Sequence, residues 1–311
     1  MTTLLPSSPH ILPSSPYILT SGGHALDLSP GAFGPLRASS DIAHDVDALH
    51  VRMAEDGYLY LPGLLNRDEV RDARREICAR VEAAGMLAPG TPAQDAIAYP
   101  DRDGAFQPDL AKRNGPLDTV LRAGPMLEFY ARFLGGDVRP LDFTWLRTVA
   151  PGPGTNPHCD IVFMGRGTTN LYTAWTPLGD LDYAQGGLMM LEGSHKNERL
   201  RAGYGSKDVD AVCVNLGGRP EMGSHSFGHL SDNAPRLRTG LGGRWLTAEF
   251  RMGDMLTFSM FTVHASLDNQ SEWVRLSSDT RYQLASEPAD ERWVGENPRG
   301  HGEHARRGVI C

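Results

Sequence analysis

Three side chains in this sequence could do redox chemistry together: His158, Asp160 and His264. His158 and Asp160 are two apart, and on a strand residues i and i+2 share a face, so an imidazole and a carboxylate would converge on one point. His264, far along the chain, ends an apolar run and offers a second imidazole. Two imidazoles and one carboxylate on one face of a metal leave the opposite positions open, the donor set suited to non-haem iron(II) and dioxygen. The carboxylate supplies a hard anionic donor and occupies a position otherwise open to chloride or water.

Spacing alone does not single out these residues. The chain has 11 histidines and 38 acidic residues, and a second His-x-acid pair, His301 and Glu303, lies beside His304. That pair sits in a charged, glycine-bearing tail without apolar alternation, which reads as solvated surface. His158 instead follows a Pro/Gly turn, Pro151 to Gly154, and opens the apolar stretch Ile161 to Met164, expected to be a strand. His195 follows a Gly-Ser turn and reads as structural. His225 and His229 fall in a long polar stretch and are candidates for a substrate entrance.

The elements that must position these residues can be read along the chain. Residues 1–40 are rich in Pro and Ser and contain a near-duplicated segment, Leu5 to Ile11 and Leu12 to Ile18. Such proline density opposes helix and sheet, so a flexible arm is expected. Ile42, Val46, Leu49 and Met53 repeat at helical spacing up to Gly57. Tyr58 to Leu61 reads as a strand. Asn66 caps a second helix, with Val70, Ala73, Ile77 and Val81 as its apolar stripe. Pro125 opens a third, Met126 to Leu134. Strands then dominate: Phe143 to Ala150, Leu171 to Leu178, Leu188 to Leu191, Trp245 to Phe250, Met255 to His264 and Trp273 to Gln283. Residues 196–244 form a long glycine-rich insertion, expected to be a lid or specificity loop. This order predicts a mainly β fold with flanking helices, residues 41–311 forming one domain.

Composition narrows the function. A formal net charge of -8 over 311 residues argues against a nucleic-acid or membrane-surface binder. The cysteines, Cys78, Cys159, Cys213 and Cys311, show no CxxC and no disulfide framework, which points to a reducing, cytoplasmic setting. No basic-then-apolar leader and no membrane-length apolar run is visible. A small-molecule substrate is the expected partner.

The ordered set His158-Cys-Asp160, Gly193-Ser-His195, Gly253-Asp254, His264 and Arg275 resembles the phytanoyl-CoA dioxygenase family of iron(II)/2-oxoglutarate oxygenases, most closely over residues 143–283. The resemblance implies a double-stranded β-helix, a jelly-roll (cupin-like) core with helices packed against it. It implies Fe(2+) bound by His158, Asp160 and His264, 2-oxoglutarate and O2 as cosubstrates, and release of succinate and CO2 as a substrate C–H bond is hydroxylated. Arg275 would pair with the far carboxylate of 2-oxoglutarate, Ser266 would help hold it, and Trp175 would lie beside the metal pocket. Chemistry agrees, because Arg offers a dicarboxylate a permanent bidentate fork. Arg275 lies between Val274 and Leu276, so an outward-pointing reading competes with the inward one. Arg281 and Arg147 are candidates for a substrate carboxylate or a structural ion pair.

Two rival readings remain. A desaturase, cyclase or halogenase would share most ligands, although halogenating relatives carry Ala or Gly where this chain has Asp160. A non-catalytic metal-binding jelly roll, a sensor or structural protein, would have no need of Arg275.

Overall fold

The aromatic and β-branched runs of the chain become two facing sheets in a computed structural model that describes residues 18–100, 106–222 and 228–311. The larger sheet runs Tyr58–Leu61, Met255–Ser259, Tyr172–Pro177, Arg275–Leu284 and Val138–Pro140, with Trp145–Val149 also paired to the Arg275–Leu284 strand. The smaller runs His264–Ser266, Leu188–Leu191, Trp245–Thr247 and Phe33–Pro35, the last pairing parallel. The sheets do not close into a barrel. They face each other as a jelly roll, and Trp175, Leu256 and Phe258 of the larger meet Leu188, Met190 and Leu246 of the smaller.

Helices cover the outer face of the larger sheet. Asp45 accepts from the Ala48 amide to start Val46–Asp56, and Gly57 ends it at a positive φ of 77°. Glycine is needed there twice over, because a Cβ would also stand 2.4 Å from the His195 ring. Asn66 accepts from the amides of Asp68 and Glu69 and caps Arg67–Ala83. Gly115–Arg122, capped by Asn114, is a helix that apolar spacing did not reveal, and Gly124–Leu134 follows it. Val70, Ile77, Phe129 and Tyr130 pack there against Leu146, Leu276 and Tyr282. Leu276 and Tyr282 therefore face the helices. Alternation along the same strand turns Arg275, Ser277, Asp279 and Arg281 toward the space between the sheets, which decides against an outward Arg275.

Four expectations need correction. The apolar run Met255 to His264 is two strands: after Ser259 a turn carries the chain across, and His264–Ser266 belongs to the other sheet. Ile161–Met164 is a one-turn helix, because Asp160 already has helical φ and ψ of -66° and -24°. Residues 18–40 of the expected flexible arm are laid down on the body: Phe33–Pro35 joins the smaller sheet, and Leu19, Leu26 and Phe33 are buried against Met189, Leu191 and Trp245. These residues carry fewer prolines than residues 1–17, which lie outside the described residues. Finally, Cys213 and Cys311 form a disulfide, 98 residues apart in sequence, so the cysteines do not lack a pair. No CxxC spacing announces it because the insertion and the C terminus meet only through the fold.

The insertion has its own structure. It holds the short helices Glu198–Ala202 and Ala234–Leu241 and the strand Ala211–Cys213. That strand pairs in parallel with Arg307–Val309 of the tail. Arg292 ties the same regions, bonding Asp210 at 2.6 Å, Asp208 at 3.1 Å and Asp290 at 2.6 Å. No helix among the described residues is long and apolar enough to cross a membrane.

Candidate active site

His158 and His264 are brought together by the backbone. Each donates its amide to the other's carbonyl at 3.0 Å, forming an isolated antiparallel bridge at the edge of the smaller sheet. Paired residues in such a bridge place their side chains together, and the two ring centroids lie 4.2 Å apart. Asp160 reaches the same point through the turn into the Ile161–Met164 helix, not through strand alternation. Its Oδ1 stands 3.7 Å from Nε2 of His158 and 3.6 Å from Nε2 of His264. Among the described residues these three are buried donors whose ligand atoms lie within 4.8 Å of one another, close enough to share a metal ion.

The surroundings select one atom of each side chain. Nδ1 of His158 bonds the Asn156 carbonyl at 2.8 Å, and Nδ1 of His264 bonds the Thr262 carbonyl at 3.1 Å. A carbonyl takes the Nδ1 proton, so each Nε2 is left with its lone pair for a metal. Burial, followed by the neighbouring His264, pushes the His158 pKa well below the ordinary imidazole value, and burial also lowers that of His264. Both rings are therefore held neutral, as ligation requires. Asp160 Oδ2 accepts from Arg281 at 2.8 Å and from the Thr173 hydroxyl. Burial alone would raise the Asp160 pKa, but Arg281, the two histidines and Thr173 overcome it and hold the carboxyl ionised. Oδ1 is left facing the imidazoles.

One cavity between the sheets is lined by His158, His264, Thr155, Thr173, Trp175, Arg147, Asp279 and Arg281. Trp175, in this lining, is fully buried, with its indole Nε1 unpaired among the described residues. Arg275 is also fully buried. Its Nη1 donates to the Gly186 carbonyl, while Nε and Nη2 have no partner among the described residues. Burial, with Arg147 adding to it, brings its pKa down to about 9, the mark of a cation in want of an anion. Leaving such donors buried and unpaired costs about 1–3 kcal/mol or more. A carboxylate would satisfy both, so the donors present fit a dicarboxylate cosubstrate as the ligand atoms fit a metal. Ser266 shares its strand face with His264, and its Oγ already accepts from the Thr155 amide at 2.7 Å, leaving its proton to donate.

Other candidates fall elsewhere. His195 bonds the Ala54 carbonyl at 3.1 Å, beneath Gly57. His301 pairs with Asp210 at 2.8 Å, and His304 bonds the Gly300 carbonyl. Cys159 bonds the Phe261 carbonyl and packs in the core. The His229 ring is 6.3 Å from that of His158 and its Nδ1 is 3.3 Å from the Asn156 side-chain amide, whereas His225 lies outside the described residues. Thr173 and Asp279 escaped sequence reasoning. The signal for Asp279 was a polar alternation, Ser277, Asp279 and Arg281, on a strand whose other face carries Leu276 and Tyr282, whereas Thr173 lies on the strand Tyr172–Pro177.

Known proteins agree with this geometry. A 1-deoxypentalenic acid 11-beta-hydroxylase of Streptomyces arenae is 28% identical over 254 residues, covering 78% of this chain and 82% of that protein. The epimerase SnoN of nogalamycin biosynthesis, solved in complex with Fe3+, alpha ketoglutarate and nogalamycin RO, superposes with a TM-score of 0.55 at 18% identity over 86% of this chain and 95% of its own. The carbocyclase SnoK of the same biosynthesis gives 0.55 at 18% identity over 79% of this chain and 88% of its own. The family model for phytanoyl-CoA dioxygenase (PhyH) matches residues 53–277. With the iron and 2-oxoglutarate that this family uses, and with a facing-sheet core that carries a His-Asp-His cluster, the chain belongs to the phytanoyl-CoA dioxygenase family as a non-haem iron, 2-oxoglutarate-dependent oxygenase.

Proposed function

We propose that His158, Asp160 and His264 hold iron(II), that Arg275 and Ser266 hold the far carboxylate of 2-oxoglutarate, and that the enzyme hydroxylates an unactivated C–H bond of a small organic metabolite. The observation that carries this reading is the selection of ligand atoms. Both Nδ1 atoms and Asp160 Oδ2 are engaged by the protein, which leaves Nε2, Nε2 and Oδ1 on one focus. The bound metal and cosubstrate supply the oxidation, with 2-oxoglutarate and O2 yielding succinate, CO2 and an oxygen atom for the substrate. The chain's own part is to orient the ligands, to neutralise the cosubstrate's far end at Arg275, and to enclose the reacting face between the sheets. Trp175 walls the cavity, and its indole N–H, unpaired among the described residues, would be available to a polar group bound there. The described part of the insertion, which brings the His229 ring within 6.3 Å of that of His158, would select the substrate, and the likeness to a 1-deoxypentalenic acid 11-beta-hydroxylase supports a small organic acid.

Hydroxylation is favoured over halogenation because Asp160 fills the position a halide would need. The reading is tested by anaerobic titration of iron(II) and 2-oxoglutarate, followed by oxygen exposure with 1-deoxypentalenic acid and a small-molecule library. Succinate formed in step with a product that has gained one oxygen atom supports it. Absence of both metal and 2-oxoglutarate binding in folded protein defeats it.

A further inference from the structure

Three arginines reach the space between the sheets, and they are not equivalent. Arg281 is committed: Nη1 bonds Asp279 at 2.7 Å, Nη2 bonds Asp160 at 2.8 Å, and its guanidinium lies 3.9 Å over the Trp145 ring. Arg275 is sealed, with no exposure at all. Arg147 differs from both. Its side chain is 21% exposed, it lines the cavity that His158 and His264 line, and only its Nε is engaged, with Asp279 at 3.2 Å. Among the described residues its two terminal nitrogens make no hydrogen bond.

We propose that Arg147 recognises a carboxylate on the organic substrate. The proposal rests on the oxygenase reading above and adds the chemical class of the molecule oxidised. Charge balance is the first argument. Arg147, Arg275 and Arg281 face Asp160 and Asp279, leaving the protein wall with one surplus positive charge. Iron(II) and the 2-oxoglutarate dianion cancel each other, so the loaded site keeps that surplus. Of the three cations, Arg147 alone has an appreciably exposed side chain, so the surplus lies on the one that an incoming molecule can reach. A monoanion neutralises it. A phosphate monoester, carrying about -1.5 to -2 charges, overshoots.

Geometry is the second argument. The Nε bond to Asp279 fixes the guanidinium plane and leaves the Nη edge free, the edge that takes a carboxylate in two parallel bonds. Away from the polar cavity lining, a row of aromatic rings flanks the guanidinium. Phe106 lies 5.7 Å from the guanidinium, Phe143 is 6.3 Å from Phe106, and Trp145 is 4.6 Å from Phe143. Such a wall suits a hydrocarbon body carrying one acid group, held by that group while a C–H bond is turned to the metal.

The test uses full-length protein loaded with Co(II) and N-oxalylglycine, a non-reacting analogue of 2-oxoglutarate, and follows the visible Co(II) spectrum. Cyclohexanecarboxylate and its neutral counterpart cyclohexanecarboxamide are titrated at fixed ionic strength. The acid is expected to bind wild type about tenfold tighter than the amide, a preference that Arg147→Gln erases and Arg147→Lys partly keeps. N-oxalylglycine affinity is expected to stay within about twofold across the three proteins. Equal binding of acid and amide to wild type overturns the proposal, as does a preference that survives in Arg147→Gln. A loss of N-oxalylglycine affinity in Arg147→Gln as large as the loss for the acid assigns the residue to the cosubstrate and also overturns it, as does loss of Co(II) from that variant. Failure of wild type to bind Co(II) or N-oxalylglycine would instead defeat the oxygenase reading itself.

Discussion

Asp160 and Arg281 form a fully buried ion pair in which one carboxylate oxygen is taken by the guanidinium at 2.8 Å and the other is turned to His158 and His264. The arginine sits on the larger sheet, and the aspartate follows the bridge to the smaller one. The pair thus sets, from across the core, the direction of the proposed metal donor.

Removing that support should weaken the metal site before it unfolds the protein. Arg281→Lys is expected to lower affinity for Mn(II) or Co(II) by about 10–100-fold, the usual effect of losing a partner behind a ligand. Thr173→Val, which removes one hydrogen bond to the same oxygen, should cost less. Isothermal titration on protein of verified fold measures both, and unchanged metal affinity in Arg281→Lys would remove the orienting role.

Asp160→Glu keeps the charge but moves the oxygen by one methylene. A displacement on the ångström scale costs about a hundredfold in rate, so succinate formation per bound iron should fall by that order. Asp160→Ala should lose hydroxylation and most iron. An Asp160→Ala protein that holds iron and turns over normally would sink the ligand assignment.

Arg275→Lys retains a cation and loses the fork. The KM for 2-oxoglutarate should rise at least tenfold, roughly the loss of one charged hydrogen bond, while substrate affinity at saturating cosubstrate changes little. Steady-state kinetics with 2-oxoglutarate as the varied ligand decide it.

The tail clamp should respond to acid. Burial opposes ionisation of Asp210, but His301 and Arg292 outweigh it and set its pKa below the ordinary carboxylate value. A carboxyl depressed on folding stabilises the native state above its unfolded pKa, and that contribution is lost as pH falls below the ordinary value toward the native one. Thermal melts of wild type should therefore drop from about pH 4 downward, and Asp210→Asn should be less stable at neutral pH with a shallower acid slope. Parallel slopes would exclude this carboxyl as the source.

Reduction should loosen the same region. Cutting the Cys213–Cys311 bond, by reductant or as Cys213→Ser, is expected to cost about 2–4 kcal/mol in denaturant unfolding. Hydrogen exchange should rise in residues 211–222 and 303–311 without change at His158 or His264. Exchange that rises equally throughout the core would mean that the bond does not act locally.

Much of this was legible in the sequence because it rests on local pattern. Apolar spacing marks the helices 46–56 and 67–83, and Asn66 marks the start of the second, while the Asp45 cap of the first went unread. His158, Asp160 and His264 were legible as candidate donors by type and order, and Arg275 as a candidate only through the family resemblance. What spacing could not give was the path between them. The Asp160 carboxylate arrives by a helical turn that an apolar tetrad, Ile161 to Met164, disguises as a strand, since four residues cannot distinguish the two periods. The Met255 to His264 run hides a change of sheet because every residue in it except Ser259 and Phe261 is buried. The disulfide and the Arg281 clamp depend on contacts that local pattern does not encode.

That change of sheet divides the ligand set. His264 rides on the smaller sheet, and the groups that aim Asp160, Thr173 and Arg281, ride on the larger. A half-assembled chain with one sheet formed has either an imidazole without its anion or an anion's cradle without its imidazoles. On the proposed ligand assignment, the three donors come together only when both layers are docked, so tight metal binding would report on that docking.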